Sequence, residues 1–183
     1  MSSELYSGFS DAAKQAMMQP QESMLEVKSK KNKLHIGIPK ETSFQENRVA
    51  LTPLSVALLI NNGHEVILES NAGQAAKFSD KDYSEQGAQI VYDSKAVYEA
   101  HIIIKIAPPT LQEIAMMKSH QILISALQLS TLQADCLQAL MQKKVTALCF
   151  EHLRDEGGAL SVVRAMSEIV GATSILIAAE YLS

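Results

Sequence analysis

The chain has 183 residues, of which 47% are hydrophobic and 20% are charged, so it has the composition of an ordinary globular protein with room for one substantial domain and a tail. Its 16 basic and 20 acidic side chains give a formal net charge of −4, and this balance argues against nucleic-acid binding because no basic surplus is available to neutralise phosphates. The two cysteines, Cys136 and Cys149, have no metal-type spacing and imply no disulfide framework.

Residues 1–32 differ in composition from the rest, since they are rich in Ser, Gln, Lys and Met. We expect them to form a loosely ordered N-terminal extension. They lack a cationic start followed by an apolar block, so a signal peptide is not expected. We also expect no apolar run to approach the roughly 20 residues that cross a bilayer. The resulting expectation is a soluble cytoplasmic protein.

From residue 33 onward, strand-like apolar runs alternate with helix signals. Thr52 and Pro53 form a typical helix start, and Gly63 and Gly87 stand where helices are expected to end. The predicted strands are 34–38, 65–68, 89–92, 101–106, 122–127 and 145–150. The predicted helices are 52–62, 80–86, 94–99, 111–117, 132–142 and 166–182.

Several of the predicted strands are continuous apolar runs, which is typical of strands that are covered on both faces. Together with the regular alternation of strands and helices, this pattern predicts an α/β fold. We expect a doubly wound, mostly parallel sheet of the flavodoxin or Rossmann-like kind, with flanking helices and a long C-terminal helix.

Three candidate site residues stand at or beyond the carboxyl ends of predicted strands, where open α/β sheets bind ligands. Arg48 lies in the loop after the first strand and can hold a carboxylate through two parallel hydrogen bonds. Lys105 lies near the end of the fourth strand and can polarise a carbonyl or imine, or exchange protons. Gln128 follows the fifth strand. The pattern alone leaves open that Arg48 is a surface residue and that Lys105 reaches into solvent.

Short motifs distributed along the chain resemble one known family. The opening signature is IGIPKE at 36–41 with ENRVALTP at 46–53, and further matches are GHEV at 63–66, GAQIV at 87–91, IIK at 103–105 and MSEIVG at 166–171. These motifs resemble the alanine dehydrogenase and transhydrogenase α-subunit family. The resemblance extends over about residues 34–183, in order and with few apparent gaps.

The resemblance implies the substrate-binding half of an oxidoreductase that converts L-alanine to pyruvate and ammonia with NAD or NADP. It places the family's substrate arginine on Arg48 and its substrate lysine, the catalytic candidate, on Lys105. The family's cofactor-contacting serine falls on Ser167. A serine in the first turn of a helix can present its hydroxyl and free N–H groups to a phosphate, although a simple helix cap remains open.

One departure concerns the catalytic histidine that alanine dehydrogenases carry in a Leu-His-Leu segment, where this chain has Gln128. A glutamine amide can orient a substrate, but it does not titrate near neutrality as histidine does. Because transhydrogenase α-subunits also lack that histidine, the departure favours them, whereas the DEGGAL loop at 155–160 favours the dehydrogenases. Arg164 matches neither pattern, and it is interpreted either as a second anion contact or as an ordinary surface charge. A non-catalytic module that binds small carboxylates or assists assembly is a further alternative.

No Gly-x-Gly-x-x-Gly motif follows a predicted strand, and the five histidines form no metal-binding pattern. We therefore expect no metal, and we expect NAD or NADP to be bound mainly by another domain. The expected division is an extension at 1–32, a substrate-binding α/β domain at 33–165, and the start of a linking helix at 166–183. Because that helix is apolar on most faces, we expect it to pack on a cofactor domain or in a homo-oligomer, with membrane contact only through transhydrogenase partner subunits.

Overall fold

The computed structural model describes residues 33–182, so the prediction for the extension at 1–32 lies outside the described residues. The strands are β1 (His35–Ile38), β2 (Glu65–Glu69), β3 (Gln89–Val91), β4 (Ile102–Ile104), β5 (Ile122–Ser125) and β6 (Thr146–Cys149). The α-helices are α1 (Pro53–Asn61), α2 (Asp80–Glu85), α3 (Ser94–Val97), α4 (Leu111–Met116), α5 (Ala134–Gln142) and α6 (Ser161–Leu182). Two 3₁₀ turns occupy Gln74–Ala76 and Phe150–His152.

The six strands form one sheet in the order β3-β2-β1-β4-β5-β6, and each neighbouring pair is parallel. The order reverses between β1 and β4, so the carboxyl ends of these two strands form the topological switch point of the sheet. The prediction of a doubly wound parallel sheet with flanking helices and a C-terminal helix is therefore confirmed.

Apolar side chains cover the sheet in two clusters, and side chains of β4 contact both. Strands β1 and β2 contribute buried residues to the first cluster, with Ile102 and Ile104 packed against it, whereas Ile103 and strand β5 contribute to the second. Fully buried members of the first are Ile38, Val56, Leu68 and Tyr83. Their counterparts in the second are Ile103, Ile114 and Leu123. Because the central strands are buried, their sequences are apolar runs without polar alternation, as the parallel topology requires.

Helix α4 begins with a capping box that directs a carboxylate toward the switch point. The Thr110 hydroxyl accepts a hydrogen bond from the Glu113 backbone N–H at 3.3 Å, and Glu113 Oε2 accepts one from the Thr110 backbone N–H at 2.7 Å. This reciprocal arrangement satisfies two N–H groups that would otherwise lack partners at a helix start. It also places the second Glu113 carboxylate oxygen close to the end of β4.

The last helix begins earlier than its sequence pattern indicated. It runs over Ser161–Leu182, whereas the predicted start was Met166. The first helical hydrogen bond joins the Arg164 N–H to the Leu160 carbonyl at 2.8 Å. No glycine or proline lies between Gly158 and Met166, so nothing in that stretch prevents the helix from starting directly after the loop.

Helix α6 has 22 residues and is solvent-exposed along most of its length. Within residues 33–182, it is the one helix that is long and apolar enough to cross a membrane, judged by length and composition alone. The expectation that no apolar run approaches that length is therefore wrong for this helix. Length and composition do not assign it to a membrane, because a helix that packs against another domain or chain has the same properties.

Candidate functional site

Lys105 lies at the switch point, immediately after β4, and its side chain is 0% exposed. Its Nζ donates a hydrogen bond to Glu113 Oε1 at 2.7 Å and lies 3.7 Å from Glu41 Oε2. The Glu41 carboxylate also accepts a hydrogen bond from the Ile106 backbone N–H. The loop after β1, the end of β4 and helix α4 are therefore joined through one buried ammonium and two carboxylates.

The two carboxylates respond to this environment in opposite ways. Burial raises the pKa of Glu41, and the opposing effect of the more distant Lys105 ammonium does not cancel it. Burial also acts to raise the pKa of Glu113, but the charge of Lys105 and hydrogen bonds from Lys105 and Thr110 lower it below its ordinary value. Burial therefore dominates at Glu41, whereas the direct pairing with Lys105 dominates at Glu113.

A cavity of about 720 Å³ lies over this cluster at the carboxyl edge of the sheet. Glu69 takes part in its polar wall, where its carboxylate accepts hydrogen bonds from the Lys40 backbone N–H at 2.8 Å and from the Ser94 hydroxyl at 2.6 Å. Buried Tyr98 also lines it, and burial together with the nearby Glu113 carboxylate raises the pKa of Tyr98. Much of this polar wall is therefore occupied by contacts within the protein.

A second cavity, of about 460 Å³, lies between the loops after β1, β5 and β6 on one side and helix α6 on the other. Its polar side chains come from four separate segments of the chain and are Arg48, Gln128, Glu151 and Ser167. Its apolar wall includes Phe150, Val162, Val163, Met166 and Val170. We call it the arginine cavity, because Arg48 is the one lysine or arginine among its lining residues.

Arg48 is held in place by a neighbour in its own loop. Its Nε and Nη2 donate to the two carboxylate oxygens of Glu46 at 2.7 and 2.6 Å, and its backbone N–H donates to the same carboxylate at 3.0 Å. The Arg48 hydrogen bond lowers the pKa of Glu46, and Glu46 in turn raises the pKa of Arg48. These contacts use the Nε edge of the guanidinium, whereas the edge formed by Nη1 and Nη2 is the one suited to hold a second carboxylate.

Gln128 lines both cavities and has an uncommon backbone conformation, with φ of 47°. A left-handed conformation is unfavourable for a residue that is not glycine, so surrounding contacts have to maintain it. One such contact is the hydrogen bond from the Gln128 backbone N–H to Glu151 Oε1 at 2.9 Å. The side chain that replaces the family's histidine is therefore placed at the wall between the cavities.

Glu151 lines the arginine cavity but was not among the residues predicted from the sequence. It lies just after β6, so the rule that ligands bind beyond the carboxyl ends of strands could have identified it. The candidate residues predicted with this rule come only from the first, fourth and fifth strands. The predicted sixth strand also extended to Phe150, which placed Glu151 at its boundary.

Ser167 lines the arginine cavity, but it does so from the interior of a helix. The sequence pattern predicts Ser167 in the first turn of a helix, where backbone N–H groups are free to bind a phosphate, and that prediction is wrong. Because helix α6 starts at Ser161, Ser167 lies inside the helix and only its hydroxyl is suited to contact a ligand. Contact of Ser167 with a cofactor stays a prediction.

The structure thus brings three of the four predicted site residues, Arg48, Gln128 and Ser167, to one cavity. Lys105 lines neither of the two cavities and lies buried between carboxylates. Direct contact of Lys105 with a substrate stays a prediction, and from this arrangement its ammonium would have to leave Glu113 to make that contact. Within the described part of the chain, no group of three His, Cys, Asp or Glu residues is placed to hold a metal ion.

Comparison with known families gives a match over most of the chain. The family model described as alanine dehydrogenase/PNT, N-terminal domain, matches residues 37–170. An alanine dehydrogenase of Staphylococcus epidermidis is 38% identical over 149 residues, which are 81% of this chain and 40% of the relative. An alanine dehydrogenase of Bacillus subtilis is 38% identical over 147 residues, which are 80% of this chain and 38% of the relative.

Solved structures give the same result at the level of the fold. A structure titled L-alanine dehydrogenase superposes with a TM-score of 0.75 and 34% identity, covering 79% of this chain and 40% of that one. A transhydrogenase structure from Sinorhizobium meliloti superposes with a TM-score of 0.60 and 26% identity, covering 64% of this chain and 35% of that one. The chain spans about 40% of the length of the curated relatives that it matches.

Proposed function

Because the chain belongs to the family of alanine dehydrogenase/PNT N-terminal domains, we propose that it is the substrate-binding half of an alanine dehydrogenase-like oxidoreductase. The reaction converts L-alanine, NAD⁺ and water to pyruvate, ammonium, NADH and a proton. The observation that carries this proposal is the arginine cavity, where Arg48, Gln128 and Ser167 line one space. The family resemblance assigns ligand contacts to these residues.

In the proposed site, Arg48 binds the substrate carboxylate. A planar guanidinium suits a carboxylate because two parallel N–H donors match its two oxygens. The pairing with Glu46 holds the guanidinium in one orientation, which reduces the entropy lost when a ligand binds. The Gln128 amide lies in the same cavity and can donate to the carbonyl oxygen of pyruvate, but it cannot act as an acid or base near neutral pH.

We propose that Lys105 influences the arginine cavity indirectly, through its contacts with Glu113 and Glu41. Its ammonium fixes Glu113 and attracts Glu41, and the charge of Glu41 also raises the pKa of Arg48. Glu41 therefore couples the buried cluster electrostatically to Arg48. Direct polarisation of the substrate by Lys105 remains the alternative that the family resemblance implies, and it requires the ammonium to separate from Glu113.

No Gly-x-Gly-x-x-Gly segment follows any of the strands β1 to β6, and Ser167 presents no free backbone N–H from the interior of α6. We therefore propose that NAD or NADP is bound mainly by a further domain, with the Ser167 hydroxyl as the contribution of this one. In the same proposal the protein is cytoplasmic and homo-oligomeric.

A transhydrogenase α-subunit is the second candidate, and one observation favours it. The position of the dehydrogenase family's histidine is occupied by Gln128, which cannot transfer protons near neutral pH. In that case the arginine cavity would serve another small ligand, and hydride would pass between two nicotinamide pools. Membrane partner subunits would then couple the transfer to protons.

The test is the kinetics of Arg48→Ala in the protein at its full natural length. Loss of a charge-assisted bidentate contact should lower kcat/KM for L-alanine oxidation by about 100-fold, which corresponds to about 3 kcal/mol. Arg164→Ala is the matched control, because Arg164 pairs with Glu168 on the exposed face of α6 and should leave kcat/KM within about two-fold of wild type.

An unchanged kcat/KM in Arg48→Ala would refute the assignment of the carboxylate site. Absence of alanine oxidation in the wild-type protein, together with hydride transfer from NADH to an NADP analogue, would favour the transhydrogenase alternative.

A further inference from the structure

We infer that Glu151 binds the ammonium group of an amino acid in the arginine cavity, so that this cavity selects a zwitterion over a simple carboxylate. The inference rests on the proposed function, because it assigns the second charged contact of the same substrate site. It gives a role to a residue for which the sequence patterns indicated none.

Glu151 and Arg48 line the same cavity, and the inference places one ligand in contact with both. Glu151 belongs to the 3₁₀ turn Phe150–His152 after β6, and its side chain is 21% exposed. The guanidinium and the carboxylate come from loops at the same edge of the sheet, whereas helix α6 supplies the facing apolar wall. An α-amino acid carries a carboxylate and an ammonium on one carbon, so it matches a site with one group of each sign.

The charges of the cavity favour a ligand that brings a positive group. Arg48 is already paired with Glu46 through two hydrogen bonds. No lysine or arginine among residues 33–182 lies within 4.0 Å of the Glu151 carboxylate, and the nearest basic atom is His152 Nε2 at 4.0 Å. Among the charged side chains of this cavity, Glu151 therefore has the weakest ion pairing within the protein. The ammonium group of a ligand can pair with it directly.

The Glu151 carboxylate is held in position by one hydrogen bond and can still accept hydrogen bonds from a ligand. The Gln128 backbone N–H donates to its Oε1 at 2.9 Å, and this single contact uses one of about four lone-pair positions on a carboxylate. A positioned acceptor loses little freedom when an ammonium binds. The apolar wall formed by Val163 and Met166 suits a small side chain such as the methyl group of alanine.

The competing explanation is that Glu151 only supports the strained backbone of Gln128. Glu151→Gln separates the two roles, because the amide oxygen of glutamine can still accept the Gln128 N–H while the negative charge is lost. The probes are L-alanine and pyruvate, which share a carboxylate and a methyl group and differ in the ammonium. Binding of each is measured by calorimetry on the protein at its full natural length.

The expected result is that Glu151→Gln weakens L-alanine binding by about ten-fold or more and leaves pyruvate binding within about two-fold of wild type. Glu85→Gln is the matched control, since Glu85 is an exposed carboxylate of helix α2 that lines neither cavity, and it should change neither affinity. A second readout needs no substitution. In wild-type protein with ¹³C-labelled glutamate, the Glu151 carboxyl resonance should shift on addition of L-alanine and not of pyruvate.

Equal affinity losses for both ligands in Glu151→Gln, or no loss for either, would overturn the inference and leave the proposed function standing. A Glu151 resonance that does not shift at saturating L-alanine would also overturn the inference. Because this measurement uses wild-type protein, it remains decisive if the Glu151→Gln variant does not fold. Wild-type protein that binds neither ligand would instead refute the proposed function, and the inference with it.

Discussion

Lys105 places its amino group in the interior between two carboxyl groups. Removing one partner of a buried ion pair is costly, because the group that remains has no compensating charge. Here Glu113 accepts a hydrogen bond at 2.7 Å and Glu41 lies at 3.7 Å. The same ion cluster joins the loops on both sides of the switch point. The geometry of the candidate site therefore depends on a group that is hidden from solvent.

Replacement of Lys105 by methionine should reveal this structural role. Lys105→Met would leave the Glu41 and Glu113 carboxyl groups buried without a cation, and the free energy of unfolding should fall by about 3–5 kcal/mol. Urea denaturation followed by circular dichroism measures the change. Lys81→Met is the matched control, because the Lys81–Glu85 pair is exposed and its loss should cost no more than about 0.5 kcal/mol. Equal effects of the two substitutions would contradict the assigned role of the cluster.

The individual residues also show which parts of a site a sequence can predict. Arg48 and Gln128 were predicted because each follows a strand at the ligand-binding edge of the sheet. Glu41 was not predicted as the partner of Lys105, because the two residues are 64 positions apart and only the parallel pairing of β1 and β4 brings them together. The partners of a buried charge depend on tertiary contacts, which short sequence patterns do not contain.

Strand β1 is packed too closely against its neighbours to accept a side chain at Gly37. A Cβ atom added at Gly37 would lie 2.5 Å from the Val97 carbonyl oxygen and 3.0 Å from side-chain atoms of Val97 and Ile103. The last residue of α3 therefore approaches β1 more closely than a residue with a Cβ atom at position 37 would allow. This contact positions the strand whose following loop carries Arg48.

Gly37→Ala should consequently destabilise the domain by about 1–3 kcal/mol, because β1 or the Val97 backbone has to move. Gly171→Ala serves as the comparison, since no atom lies within 4 Å of a Cβ at this position of helix α6. Alanine is the better helix former, so this second change should stabilise the protein by up to about 1 kcal/mol. Thermal unfolding of both variants measures the difference. A Gly37→Ala variant as stable as wild type would show that the contact is not restrictive.

The elements were predictable from local signals, whereas some of their limits were not. All six strands and the six helices of the described region occur in the predicted order, because buried parallel strands appear as apolar runs between glycine and capping signals. The sequence predicts a start of α6 at Met166, in the motif that contains Ser167, whereas the helix begins five residues earlier at Ser161. That error changed the chemistry assigned to Ser167, from a helix-terminal phosphate contact to a single hydroxyl.

At the scale of the whole molecule, α6 leaves a large apolar surface uncovered. Ile175 and Leu176 are 71% and 70% exposed, and Leu182 is 89% exposed. A helix of this kind is stable in water only when its apolar faces pack against another surface. The arginine cavity uses the first half of the same helix as its wall, so the environment of α6 also affects the proposed site.

The 183-residue chain should therefore associate in solution. Sedimentation velocity at micromolar concentration is expected to show species larger than a monomer, and the double substitution Ile175→Gln with Leu176→Gln should shift the distribution toward monomer. A monodisperse wild-type monomer would contradict the expectation that α6 packs on another surface.

The proposal that the arginine cavity is an amino-acid site is tested most directly by a crystal structure of the full-length protein with L-alanine. The predicted result is electron density for alanine between Arg48 and Glu151, with its carboxylate on the guanidinium and its ammonium within hydrogen-bond distance of the Glu151 carboxylate. Alanine bound in the larger cavity beside Tyr98, or facing the Lys105 ammonium without contact to Arg48, would contradict the proposal.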